Sequence, residues 1–156
     1  VPETLAAIRK VEAALMEAIA VRRPDLQGFA DRSTAEPLSE GEWPGYSVRH
    51  EVKFNLSPEM GQFFNDALFT FEVQSGNTTD ATLDQINQLA VSDINDALQA
   101  DPTLGGMVED VEPIGSDSSQ PESADVGSAV LQVRVTYYTL IRSHSTIVGH
   151  GGQLFT

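Results

Sequence analysis

No cysteine occurs among the 156 residues. That excludes a disulfide, a thiol nucleophile and a thiolate-ligated metal, and it fits a reducing compartment. No apolar run approaches the roughly 20 residues that a bilayer-spanning helix needs. The opening residues, Val1-Pro2-Glu3-Thr4, carry neither the basic start nor the apolar centre of a signal peptide. A soluble protein made in a cytoplasm is the expectation. The most informative absence is of positive charge. Between Phe54 and Val133 there is no Lys, Arg or His, while 14 acids fall there, from Glu59 to Asp125. The chain has 23 acids and 9 Lys and Arg, so the remainder holds nine acids (23 less 14) against all nine bases, and the formal net charge of −14 belongs to that one stretch. A phosphate-binding surface needs Lys or Arg to displace counterions, and this stretch supplies none. Its first reading is a solvated face that aids solubility. The sharper reading is a surface that must not stick to DNA, or one that meets a basic partner.

What is present is enough for one domain. The length suits a single core, and 40% hydrophobic residues can fill it. Leu5, Ile8, Val11, Leu15 and Ile19 recur at helical spacing, which predicts a helix from Glu3 to about Arg22 with Glu3 and Arg22 at the favourable ends of its dipole. Pro24 stops it. Pro24 to Gly45 reads as a long connection, in which Phe29, Leu38 and Trp43 suggest docking on a core or a neighbour. Tyr46–Leu56 alternates and predicts a half-buried strand, paired with Ala67–Gln74. The ten-residue connection between them, Ser57–Asp66, carries Met60, Phe63 and Phe64, which read either as a satellite cluster under the loop or as an exposed contact patch, the short loop with little core to cover favouring contact. A second helix is expected over Ala81–Ala100, buried along Leu83, Ile86, Ala90, Ile94, Ala97 and Leu98. Asp84, Asp93 and Asp96 lie on its exposed side with no base nearby in sequence, an arrangement that gains from a basic neighbour. Asp101-Pro102 ends the helix and Gly105-Gly106 turns the chain. A short strand over Met107–Glu112, a mobile loop over Ile114–Val126 and a long strand over Ala129–Ile141 complete the series. Residues 143–156 read as an extended, irregular C-terminal tail after a single domain over 1–142. The expected fold is α+β, in the order α-β-β-α-β-β, with two helices packed on one face of a mostly antiparallel four-stranded sheet.

Motifs that carry chemistry are weak. His144 and His150 lie six apart on the tail, without the convergent ligands and supporting partners a metal site needs. His50 sits on the apolar face of a strand and reads as a hydrogen-bonded core or interface histidine. Gly149-His150-Gly151-Gly152 resembles an oxyanion loop, but no Gly-x-Ser-x-Gly elbow accompanies it. Asp117 to Asp125 lacks the ligand spacing of a calcium loop. Tyr137, Tyr138 and Phe155 lack the basic groove that accompanies base stacking; sheet or subunit packing is the better reading. No catalytic residue, cofactor site or metal site is expected.

One segment has a defined shape. A helix leads into Asp101-Pro-Thr-Leu-Gly-Gly-Met-Val-Glu-Asp-Val-Glu-Pro113, then a spacer, then Ala129-Val-Leu-Gln-Val-Arg-Val-Thr-Tyr-Tyr-Thr139. Over roughly Ala81–Thr139 this resembles the tail terminator (tail completion) proteins of long-tailed bacteriophages. The first helix and hairpin agree with that family in layout. The resemblance implies a structural virion protein at the head-proximal end of the tail. It implies a homo-hexameric ring that ends the tail tube and docks the neck or head-completion protein, with possible sheath terminator contacts. DNA would pass through the lumen without sequence-specific binding. Met60, Phe63, Phe64, Tyr138, Leu154 and Phe155 are then the candidate subunit or partner contacts, and Asp84, Asp93 and Asp96 the candidate acidic lumen or partner face. Two other readings stay open: another small phage neck or tail connector, and a monomeric acidic module for a basic protein partner.

Overall fold

A computed structural model describes residues 6–30, 38–42, 44–57, 61–76, 80–119 and 126–156, with the side chains of 40, 80–84, 117–119 and 126–127 excepted. The elements run α1 (Ala7–Arg22), β1 (Gln27–Phe29), a 3-10 turn (Glu40–Glu42), β2 (Gly45–Ser57), β3 (Gln62–Gly76), α2 (Asp80–Ala100), β4 (Asp110–Ser119), β5 (Val126–Leu140), β6 (Ser143–Val148) and β7 (Leu154–Phe155).

The sheet corrects the expected fold. It has seven strands and is mixed, not four strands and antiparallel. Its centre is β5. One edge of β5 is covered along its length by antiparallel β3, from Gln62↔Leu140 to Gly76↔Val126. The other edge is shared end to end. There β4 takes the first part, Asp110↔Thr136 to Ser119↔Ser128, and β6 takes Tyr138, Thr139 and Leu140. On the far side β3 pairs with β2 from Gly45↔Gln74 to Ser57↔Gln62. The mixed character comes from β1, which lies parallel to the start of β2, Gln27 beside Gly45 and Phe29 beside Ser47.

Three segments expected to be irregular are strands. Residues 114–119 of the supposed mobile loop belong to β4. Pro113 and Gly115 are poor strand formers, but the long β5 offers a ladder that imposes the conformation, with a bulge between Pro113 and Gly115. The supposed tail returns as β6 and β7, with Ile147 beside Phe155 and Val148 beside Leu154. The loop 24–45 contains β1. The first hairpin is also longer than expected: Phe63 and Phe64 lie within β3, paired with Leu56 and Asn55, so the connection shrinks to residues 58–61.

The core follows from strand alternation. Tyr46, Val48, Phe69, Phe71, Val73, Leu131, Val133, Val135 and Tyr137 point to one face and are buried. Val11, Leu15 and Ile19 of α1 and Ala90, Val91, Ile94 and Leu98 of α2 join them in a single cluster. These helical positions keep the 3.6-residue spacing that the sequence displayed. Leu5 lies outside the described residues, as does the side chain of Leu83.

The two glycine motifs of the chain meet each other. Gly105 and Gly106 adopt positive φ angles of 70° and 88° after Leu104, itself at 49°. His150 N–H donates to the Gly106 carbonyl at 2.7 Å, and Gly149 N–H donates to Gln153 O at 2.6 Å. A Cβ on Gly149 would stand 2.5 Å from the Gly106 oxygen and 2.7 Å from Phe155. The Gly149-His-Gly-Gly152 run is thus the lock that seats β7 on the turn after α2. Gly149→Ala is expected to cost about 1–3 kcal/mol through this overlap with backbone. Thermal unfolding checks it: a Tm lower by several degrees is expected, and an unchanged Tm would show that the turn yields freely.

Candidate functional site

The sheet presents two unlike faces. On the face turned from the core, β2 contributes Arg49, Glu51 and Lys53, β3 contributes Asp66, Leu68, Thr70 and Glu72, β5 contributes Gln132, Arg134 and Thr136, and β4 contributes Asp110 and Glu112, all placed there by register. Charges of opposite sign alternate across the strands. Arg134 Nε donates to Asp66 Oδ1 at 2.7 Å and its Nη2 bonds Oδ2, a bidentate pair. That pairing, with Glu112 nearby, raises the Arg134 pKa. Arg49 lies 3.8 Å from Glu72. Glu51, Lys53, Asp66, Leu68, Ile114 and Arg134 line a shallow groove on this face. Counting those described side chains, five acids face three bases. Surface pairs of this kind contribute little to stability; their effect is a polar, net acidic surface.

The apolar face carries a second feature beyond the reach of the core. Val52, Phe54 and Leu56 continue its alternation toward the hairpin end and are 36%, 53% and 58% exposed. Phe54 and Phe63 pack edge to face at 5.2 Å, and His144 of β6 approaches Phe54 at 4.6 Å. Behind them Asn65 is fully buried and its Nδ2 donates to Thr139 Oγ1 at 3.0 Å, while Thr139 Oγ1 contacts His144 Nδ1 at 3.1 Å. Asn65 Oδ1 has no partner among the described residues.

The expected contact residues do not form one patch. Phe63 and Phe64 are neighbours on a strand and therefore face opposite ways: Phe63 joins the Phe54–His144 cluster, and Phe64 packs against Tyr138 on the polar face, ring centres 5.4 Å apart and tilted by 59°. Phe155 is partly buried against the core while Leu154 is 58% exposed. Met60 lies outside the described residues. Among the acids, the side chain of Asp84 is likewise outside. Asp93 accepts from Arg23 Nη1 at 2.8 Å and lies 3.5 Å from Arg22 Nε. Asp96 lies 3.5 Å from Arg22 Nη2. The basic neighbour that these acids wanted is the end of α1 in the same chain, not a partner. Arg23 also holds Asp25 below the usual carboxylate range, through hydrogen bonds of 2.9 Å.

His50, expected to be hydrogen-bonded, meets a residue that went unnoticed in the sequence, Glu12. Glu12 is 4% exposed at its side chain. It accepts from Arg9 Nη1 at 2.9 Å, and its other oxygen lies 2.9 Å from His50 Nδ1. The His50 ring packs on Phe69 at 5.7 Å. Position 12 falls on the stripe Ile8, Val11, Leu15, Ile19; a carboxylate on such a stripe was the available signal. No group of three or more His, Asp or Glu that could hold a metal exists among the described residues. No helix among them is long and apolar enough to cross a membrane. Compared with protein-family models and with curated proteins, the chain matches none.

Proposed function

We propose that this chain is a structural subunit of a phage tail: a terminator that forms a ring, six-membered by the resemblance, at the head-proximal end of the tail tube. In the ring it ends the tube and offers a docking surface to the neck or head-completion protein. DNA passes through the lumen. Two features support the reading. The segment that resembles the tail terminators, Ala81–Thr139, is the structural centre of the molecule, because it contains β5, the strand to which β3, β4 and β6 all attach. The observation that carries the mechanism is the polar sheet face. A lumen wall for DNA must be hydrated and must not hold phosphate. On this face Arg49 and Arg134 are already paired with Glu72 and Asp66, and acids outnumber bases. Asp93 and Asp96, engaged by α1, are not part of the proposed wall.

The mechanism is geometric. A ring needs a head-to-tail contact that closes on itself, with one end matched to the last tube ring and the other unable to accept another. Mass measurement and particle imaging of the purified chain, with and without tail tube, test it. A closed ring seated on tube ends is expected. A chain that never associates with itself, tube or neck proteins sinks the reading.

A further inference from the structure

Among the described residues, β1 covers β2 only at Gly45, Tyr46 and Ser47, which leaves the outer edge of β2 from Val48 to Ser57 without a strand. Proteins protect such edges with proline, bulges or inward charges. This edge contains no proline, and its ladder to β3 runs without a register shift. It also shows the exposed apolar row Val52, Phe54 and Leu56. Its protective devices are the exposed charges Arg49, Glu51 and Lys53.

We propose that two copies of this chain join edge to edge through β2, antiparallel about a two-fold axis at Val52, with Glu51 of each copy opposite Lys53 of the other. Three arguments fix this arrangement. The first is length. With Val52 opposite Val52, the ladder begins with Val48 opposite Leu56. It therefore starts immediately after Ser47, the last residue that β1 covers, and stops before the hairpin connection. The second is the pleat. Opposed residues of an antiparallel pair share a face, so only registers displaced by whole pairs keep the apolar rows together. The third is charge. Centring the axis on Glu51 sets Glu51 against Glu51 and Arg49 against Lys53. Centring it on Lys53 sets Lys53 against Lys53. The axis at Val52 replaces these clashes with two Glu51–Lys53 pairs and places Arg49 opposite the neutral Asn55; an axis at His50 would pair Arg49 with Glu51 but leaves a ladder of only Val48 to Val52. Lys53, which guards the edge against other strands, is neutralised only by this one. Phe54 then lies opposite His50 on the apolar face. The contact is isologous and closes at two copies, whereas a ring needs a head-to-tail contact. It therefore stands apart from the ring reading and describes the chain outside the ring.

Sedimentation of the full chain from micromolar to near-millimolar concentration should show a monomer–dimer equilibrium. Glu51→Lys and Lys53→Glu should each weaken it roughly tenfold, since either turns two attractive cross-strand pairs into repulsive ones. The double reversal E51K/K53E should restore it. Val52→Cys supplies a second measurement in a chain with no other cysteine. Opposed Cα atoms of an antiparallel ladder lie about 4.5–5.5 Å apart, within disulfide reach, so mild oxidation should trap a covalent dimer, while Leu56→Cys should not. A monomer at every concentration, single reversals without effect, a double reversal that fails to restore, or Val52→Cys that fails to cross-link each overturns the proposal. A dimer that never meets a tail tube removes the ring and leaves this pair; a monomer that caps a tube does the reverse.

Discussion

Glu12→Ala is expected to lower stability by about 3 kcal/mol, because it removes a buried carboxylate together with its two contacts, to Arg9 and to His50. The carboxylate is nearly sealed from solvent, and it joins α1 to the sheet through His50 as well as to its own helix through Arg9. In a chain of this size such a loss corresponds to a Tm about 6–12 °C lower. Glu12→Gln keeps one acceptor of the right shape, so its cost is expected near 1 kcal/mol. His50→Phe removes the polar group on the sheet side, and combining it with Glu12→Ala should cost less than the sum of the two single changes, because each destroys the same contact. Urea unfolding of the four proteins checks the scheme. Equal stability for Glu12→Ala and Glu12→Gln would mean that the cluster is solvated and contributes no more than a surface pair.

The same cluster illustrates what the sequence displayed and what it concealed. Apolar spacing located both helices, because a buried helical face repeats every three or four residues whatever it packs against. It located β2, β3 and β5 for the same reason at a period of two. Glu12 escaped because a hydropathy stripe has no place for a charge: its counter-charge, Arg9, reads locally as a surface pair, and its other partner, His50, lies on another element. The pairing of Arg22 and Arg23 with Asp93 and Asp96 escaped likewise. Read locally, the arginines serve one helix dipole and the aspartates burden another; only the packing of α1 on α2 makes them one network. The missed strands have a different cause. Residues 114–119 and 143–148 are rich in Ser, Gly, Asp and His, and they are extended because β5, with its Val-rich run, offers them an edge. Strand formation there belongs to the partner more than to the segment. The adjacent Phe63 and Phe64 hid a strand in another way: they serve opposite faces, so they break the alternation that identifies a one-sided strand.

Alkaline pH should weaken the fold through two tyrosines. Tyr46 and Tyr137 are 2% and 1% exposed, and burial disfavours the phenolate. It pushes Tyr46 up to about 12 and Tyr137 higher still. The Tyr46 hydroxyl is lodged against β1, where a Cβ on Gly28 would stand only 2.6 Å from it, so the ring cannot swing out to water without displacing that strand. An unfolded tyrosine releases its proton near pH 10. Below that pH both states hold the proton and the tyrosines make stability no different. Between about 10 and 12 the unfolded chain loses a proton that folded Tyr46 keeps, so the unfolded state is favoured and stability falls as pH rises. For Tyr46 alone the full loss is about 3 kcal/mol by the time pH passes its folded value, and Tyr137 adds to it with the same sign. Urea midpoints measured from pH 8 to 12 should therefore stay level to about pH 10 and then drop. Tyr46→Phe keeps the ring and removes the ionisation, so it should flatten part of the drop, and Tyr46→Phe with Tyr137→Phe should flatten more. An equally steep drop in the double variant would assign the alkaline transition to other groups and would mean that both hydroxyls ionise without leaving the folded core.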